Sequence, residues 1–312
     1  SLNDRLRALW ERANVRAIRV VVGTGLSLLF LWLAFRGIPV RQALASFANA
    51  DYRFVALGVA LVLISPLLRA ARWRLLFHPD EQDLGIFRLA EVLLIGQMLN
   101  IVVPARLGEV ARIYFVGELE DRSRARTLGT IAVEKWLDVL MLLVLALLVP
   151  LFVTLPAWFR DARVTLGTLA AAFLGGAILL SRHQDRLVNL MAAASRVLPP
   201  RWRSPLEQAI SRALGTLRVL RSLSLNVRLQ AWSLLILLTS VLVNYAIFPA
   251  AGLSLPLIAA VFLLAVLEVG VAVPSAPGKL GVFHYLCTLA LGVFGVQKSV
   301  AVAYAVLLHA VV

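Results

Sequence analysis

The sequence has one cysteine, only three lysines, and no Gly-x-x-x-x-Gly-Lys-Ser/Thr segment anywhere in its 312 residues. The lone cysteine, Cys287, excludes an intrachain disulfide and a cysteine-built metal site. It lies in an apolar run and reads as a small core residue. The missing phosphate loop argues against direct ATP drive. Four histidines and scattered acids form no dense metal constellation and no nucleophile motif, so neither a cofactor, a metal nor an enzyme is expected. Acids are also scarce: 17 against 31 basic residues give a net charge of +14, carried almost wholly by arginine because the lysines are Lys135, Lys279 and Lys298.

Apolar residues are what the chain has in excess, at 61%, with a mean hydropathy of +0.87. A soluble domain of this length is not that apolar. The expected fold class is an all-α polytopic membrane protein, with a single transmembrane domain over 1–312. The arginines flank apolar runs rather than clustering on a soluble domain, so nucleic acid is excluded as a partner. They suit an anionic cytoplasmic lipid surface instead.

Two interrupted runs organise the chain. The first contains Val103-Pro104-Ala105-Arg106-Leu107-Gly108-Glu109 and the second Val273-Pro274-Ser275-Ala276-Pro277-Gly278-Lys279. Each has Val-Pro, a glycine four residues after the proline, and a charge at the next position. Proline removes a backbone donor and glycine loosens a helix. Backbone freed at membrane depth is tolerated only against protein or a water-filled cavity. A matched pair of broken, charged segments points to a transport site near the bilayer midplane.

In chain order, residues 1–17 are a basic amphipathic lead-in on the cytoplasmic side, followed by an uncleaved span over about 18–35. A second span, from Phe54 to about Leu68, ends in Arg69, Arg72 and Arg74, which place its end in the cytoplasm. Residues 86–117 form the first broken segment. Neither half reaches the ~20 residues a crossing needs, so a re-entrant hairpin is preferred over one poor span with a loop. Thr127 to Phe152 is a long span with Glu134, Lys135 and Asp138 in its first half. A Gly/Ala-rich span follows over 164–180. Residues 182–228 are a basic cytoplasmic loop with surface helices on anionic lipid. A span over 229–250 leads to the second broken segment, 257–295. The last apolar run is still in progress at Val312, so the expectation is a piece of a longer protein. If both hairpins are re-entrant from opposite faces, the units around them form an inverted-topology repeat.

Ionisable groups inside a bilayer are costly and mark a pathway or a pair. Arg106 and Arg112 suit a phosphate, because guanidinium presents two parallel donors. Lys279 offers a point charge, and half-helix N-termini after Pro104 and Pro277 would add oriented N–H groups. Glu109 with Arg112, and Glu134 with Asp138, share helix faces. The two carboxylates would share a proton or a cation such as Lys135. Asn100 and Glu268 complete the substrate-binding candidates. Glu91 and His284 read more simply as single polar groups on apolar faces. The plainer reading of the whole set is that its charges neutralise one another and hold helices together.

Pro104-x-Arg106-x-Gly108-Glu109-x-x-Arg112, then Glu134-Lys135-x-x-Asp138, then Pro274-x-x-Pro277-Gly278-x-x-Gly281, resembles the flippase-like membrane domain of lysylphosphatidylglycerol synthases. The resemblance spans nearly the whole chain. It implies translocation of lipids with polar headgroups, with Arg106, Glu109, Arg112, Glu134 and Asp138 lining the headgroup path. It also implies a bacterial or archaeal plasma membrane, and the arginines of the lead-in place the N-terminus in the cytoplasm. The family often has Glu-Arg at Glu134-Lys135, glycine at Lys279 and an acid at His284. The more basic second segment here favours an anionic phosphate or sugar-phosphate lipid over an aminoacylated one. No aminoacyl-transfer domain follows within these residues, so a stand-alone member is expected. The alternatives are an integral membrane enzyme acting on a lipid phosphate and a scaffold of a lipid-synthesis complex. Association into a homo-oligomer is left open.

Overall fold

A computed structural model describes residues 25, 28–34, 36, 50–80, 83–102, 107–120, 122–152, 167–176, 179, 182–183, 186, 190, 193, 200–270 and 279–312. Most of the described residues are helical, the rest lie in turns and short connections, and no strand occurs among them. The expected all-α architecture is therefore what is found. The principal helices are α1 (Tyr52–Leu75), α2 (Ile86–Val102), α3 (Gly108–Leu119), α4 (Arg124–Leu148), α5 (Pro200–Gly215), α6 (Leu223–Ala250), α7 (Leu257–Gly270), α8 (Val282–Gly292) and α9 (Lys298–Val311).

Two of these, α1 with 24 residues and α6 with 28, are long and apolar enough to cross a membrane. At ~1.5 Å per residue each exceeds the ~30 Å hydrocarbon layer. Leu57, Leu63 and Ile64 on α1, and Leu234, Leu238 and Leu242 on α6, stay exposed, as suits helices whose surroundings are lipid rather than water. α1 runs seven residues beyond the expected end at Leu68 and carries Arg69, Arg72 and Arg74 within it.

Helix ends follow local chemistry. α4 gives way to a 3₁₀ turn at Val149–Leu151, where Pro150 lacks the N–H that an α-helix needs. α6 stops at Gly252, whose φ of +70° lets Leu253 N–H reach Phe248 O at 2.8 Å. Gly295, at φ +75°, ends the turn after α8 in the same way, with Val296 N–H donating to Leu291 O at 3.2 Å.

The chain forms two compact units that interleave along the sequence. One comprises 61–99 and 106–240, the other 1–60, 100–105 and 241–312. In the first unit, Trp73, Phe77, Leu84, Leu89, Val116, Leu137 and Leu229 make a buried core. α3 and α5 both pack on α4. The approach of α5 depends on Gly129, because a Cβ there would lie 2.2 Å from Ala213 O. One face of the expected surface helix is thus taken up by protein. In the second unit, α8 packs against α7 and α9. Tyr304 is fully buried beside Phe248, and its hydroxyl donates to Asn244 O at 2.8 Å. Cys287 is buried, as expected of a small core residue.

Candidate functional site

The first broken segment resolves into α2 and α3, and the second into α7 and α8. At 17 and 12 residues, then 14 and 11, none reaches the ~20 residues of a simple crossing. Pro104, Arg106, Pro274 and Pro277 lie outside the described residues. α3 has Glu109 in its first turn, where a carboxylate is favoured by the helix dipole.

In the first unit, α3 and α4 bring two of the predicted charges together. The Arg112 guanidinium donates from Nη2 to Glu134 Oε2. Arg72 approaches the same carboxylate from α1. Its Nη2 is 3.7 Å from Glu134 Oε1 and 2.7 Å from Asp138 Oδ1. The cation shared by Glu134 and Asp138 is therefore Arg72, rather than the expected Lys135. Lys135 instead faces Glu109 at 3.8 Å, with half of its side chain exposed.

Second contacts hold the arginines in place. Arg72 Nη1 donates to Ser233 Oγ on α6 at 3.2 Å, and that hydroxyl donates to Leu229 O at 2.9 Å. The Arg112 guanidinium lies 4.1 Å from the centroid of the Trp73 ring, a cation–π arrangement. Trp73 is fixed in turn by its Nε1–H to Thr130 Oγ1 at 3.0 Å. Gly96 on α2 makes room for the arginine stem, since a Cβ there would stand 2.9 Å from Arg112 Cγ.

Arg72, Arg112 and Glu134 are 1%, 6% and 2% exposed, so this network is buried and its two positive and two negative charges cancel. A buried network is tolerable when each charge finds opposite charge and hydrogen bonds. Asp138, with 32% of its side chain exposed, is the member reachable from outside. Arg72 Nε and Arg112 Nε are buried donors without an acceptor among the described residues. The network therefore has spare capacity for an incoming acceptor.

The other candidates lie elsewhere. Asn100, Glu268 and Lys279 belong to the second unit. Asn100 is half-buried, while Glu268 and Lys279 are exposed. Lys279 has φ +56°, a left-handed conformation that side chains with a Cβ rarely adopt. His284 is buried, its ring 5.0 Å from that of His309, and Glu91 is exposed. Sequence reasoning missed Arg72, Trp73, Ser233 and Gly96. A signal for Arg72 was available: the 15-residue run from 54 to 68 is shorter than the ~20 residues of a span, so the helix had to continue through the arginines.

Residues 20–312 match the lysylphosphatidylglycerol synthase TM region. The chain belongs to this family. Its relatives include two UPF0104 membrane proteins. One, from Pyrococcus horikoshii, is 24% identical over 92% of this chain and 90% of the relative. The other, from Methanothermobacter thermautotrophicus, is 27% identical over 82% of this chain and 80% of the relative. The glycosyltransferase AglD of Haloferax volcanii is 25% identical over 62% of this chain and 31% of its own length. No solved structure matches. Like other members of the synthase TM family, this is a membrane protein.

Proposed function

We propose that the protein translocates a lipid with an anionic, phosphate-containing headgroup across the bilayer, and that it does so as a transporter rather than an enzyme. The observation that carries this reading is the buried network of Arg72, Arg112, Glu134 and Asp138, with its two donors to spare. Charge held inside a membrane protein is expensive and is kept where a polar group must pass. The headgroup phosphate takes the arginines in exchange for the carboxylates. A carboxylate released in this way gains a proton, so the site stays near neutrality at each step. Arg106, beside the first helix break, meets the headgroup on its way, while acyl or prenyl chains remain in the bilayer.

The two short-helix pairs act as re-entrant hairpins of an inverted-topology repeat, which would let one cavity open alternately to the two faces. The N-terminus lies in the cytoplasm of a bacterial or archaeal cell, and the arginine-rich 182–228 region lies against anionic lipid. The glycosyltransferase match supports a second reading, an enzyme acting on a lipid phosphate, for which product formation by pure protein would be required.

The test is headgroup translocation in proteoliposomes. It would use fluorescent phospholipid and polyprenyl-phosphate lipids with a membrane-impermeant quencher, comparing the parent with Arg106→Ala and with Arg112→Leu/Glu134→Leu. Replacing both partners of a buried pair by apolar residues is often close to neutral for stability, so the double variant separates holding from transport. Translocation is expected to fall at least about tenfold, the equivalent of ~1.4 kcal/mol on the barrier. Undiminished movement in a folded double variant would leave the network as a structural clamp and sink the site assignment.

A further inference from the structure

Away from this network, the first unit contains a cavity of about 710 Å³. Its walls come from the His78–Pro79 turn after α1, the start of α4, the end of α5 with the 3₁₀ turn behind it, and the start of α6. Ligand sites span roughly this size range. Three arginines line it, and two of them are pinned. Arg126 donates to Asp80 Oδ2 at 2.5 Å and to Phe77 O and His78 O at 2.6 and 3.0 Å. Arg122 donates to Asp83 Oδ2 at 3.1 Å and to Asp80 O at 3.3 Å.

The third arginine, Arg212, has no ion pair or hydrogen bond among the described residues. Among the described residues, two acids face these three arginines, which leaves one positive charge over. Two further donors have no acceptor among the described residues: the Arg122 Nε–H, and the hydroxyl of Thr216, which is only 4% exposed. Burying a hydroxyl without a partner is unfavourable unless a ligand or water supplies one. Val219 and Leu225 give the cavity an apolar side.

We propose that this cavity binds a phosphate ester, with Arg212 and the Thr216 hydroxyl as its direct contacts and the pinned Arg122 supplying an N–H. A tetrahedral anion with several acceptor oxygens satisfies donors arriving from different walls, which a single carboxylate does less well. The donors fit the phosphate of a lipid headgroup and that of a soluble ester alike. The site shares no residue with the Arg72–Glu134 network and stands whether or not that network moves lipid.

The test is calorimetric titration of the full chain in non-ionic detergent with glycerol phosphate, with dioctanoyl phosphatidic acid, and with uncharged dioctanoylglycerol as control. Saturable binding of a phosphate probe is expected, about tenfold weaker in Arg212→Gln and in Thr216→Val, each a lost hydrogen bond to a charged group. Arg212 is exposed and Val is close to Thr in shape, so both variants should fold. Equal binding of both phosphates would assign a soluble-ester site; binding of phosphatidic acid alone would assign a lipid headgroup held with its chains. Failure of both to bind, or binding unchanged in both cavity variants, would overturn the proposal.

Discussion

The two broken segments share a sequence pattern but not their electrostatics. Around the first, Arg88, Glu91, Arg106, Glu109, Arg112 and Glu118 fall within 86–119, whereas 229–312 contains only Glu268, Lys279 and Lys298 as charged residues and no arginine. The common Val-Pro and glycine spacing specifies an interruption in a helix. Whether charge is buried beside that interruption depends on what neighbouring helices bring. α1 and α4 supply Arg72, Glu134 and Asp138 to the first. The described core beside the second is apolar, with Ala259, Ala260, Phe262, Leu263, Cys287, Leu291 and Ala301–Ala305 all buried.

The strongest way to break this contrast is to remove one acid from each region. Glu134→Leu strands two buried guanidiniums with the partly exposed Asp138 and should destabilise the protein by ~3–5 kcal/mol. Glu268→Leu, at an exposed position, should stay within about 0.5 kcal/mol. Thermal unfolding in detergent measures both, and comparable losses would show that the second segment holds a charge as tightly as the first.

A smaller effect is expected at Lys279, whose φ of +56° is relieved by glycine. Lys279→Gly should raise stability, or at worst leave it unchanged, by up to ~1 kcal/mol, since strain relief is partly offset by unfolded-chain entropy. A fall in melting temperature would instead mean that the lysine side chain contributes more than its backbone strain takes away.

The smallest effect concerns acid. The Arg126 hydrogen bond and charge hold the Asp80 carboxyl below the usual carboxylate range. A depressed carboxylate stabilises the fold above its unfolded pKa, and that contribution disappears as pH falls below about 4 through the folded value. Asp80→Asn should therefore show a shallower loss of melting temperature between about pH 5 and pH 3 than the parent. Identical acid limbs would remove Asp80 from the explanation.

Much of the fold was legible because the apolar runs are long. The spans over 229–250 and 127–152 correspond to α6 and α4, and the break near Pro104 falls between α2 and α3. Three of the network's four charges were legible too, since Arg112, Glu134 and Asp138 stood out as charges in apolar surroundings. Arg72 did not. An arginine at the end of an apolar run looks the same in sequence whether it reaches the lipid surface or turns inward. The deciding partners, Glu134 and Asp138, lie more than sixty positions away. Ser233 and Gly96 carried no signal at all, because a hydroxyl and a missing Cβ acquire meaning only from what packs against them.

The seat of Arg112 also bears on how this protein can change over time. Its stem touches the space left by Gly96, its charged plane lies on Trp73, and its donor meets Glu134. Four helices thus share one side chain, and substitutions at these positions will not add independently. A larger residue at 96 needs a shorter 112 and a small shift of the Gly108 carbonyl, which would lie 3.1 Å from its Cβ, and a shorter 112 requires 134 to lose its charge. The route from this sequence to a relative with a different residue at 112 therefore passes through paired replacements, so these four positions should vary together or not at all.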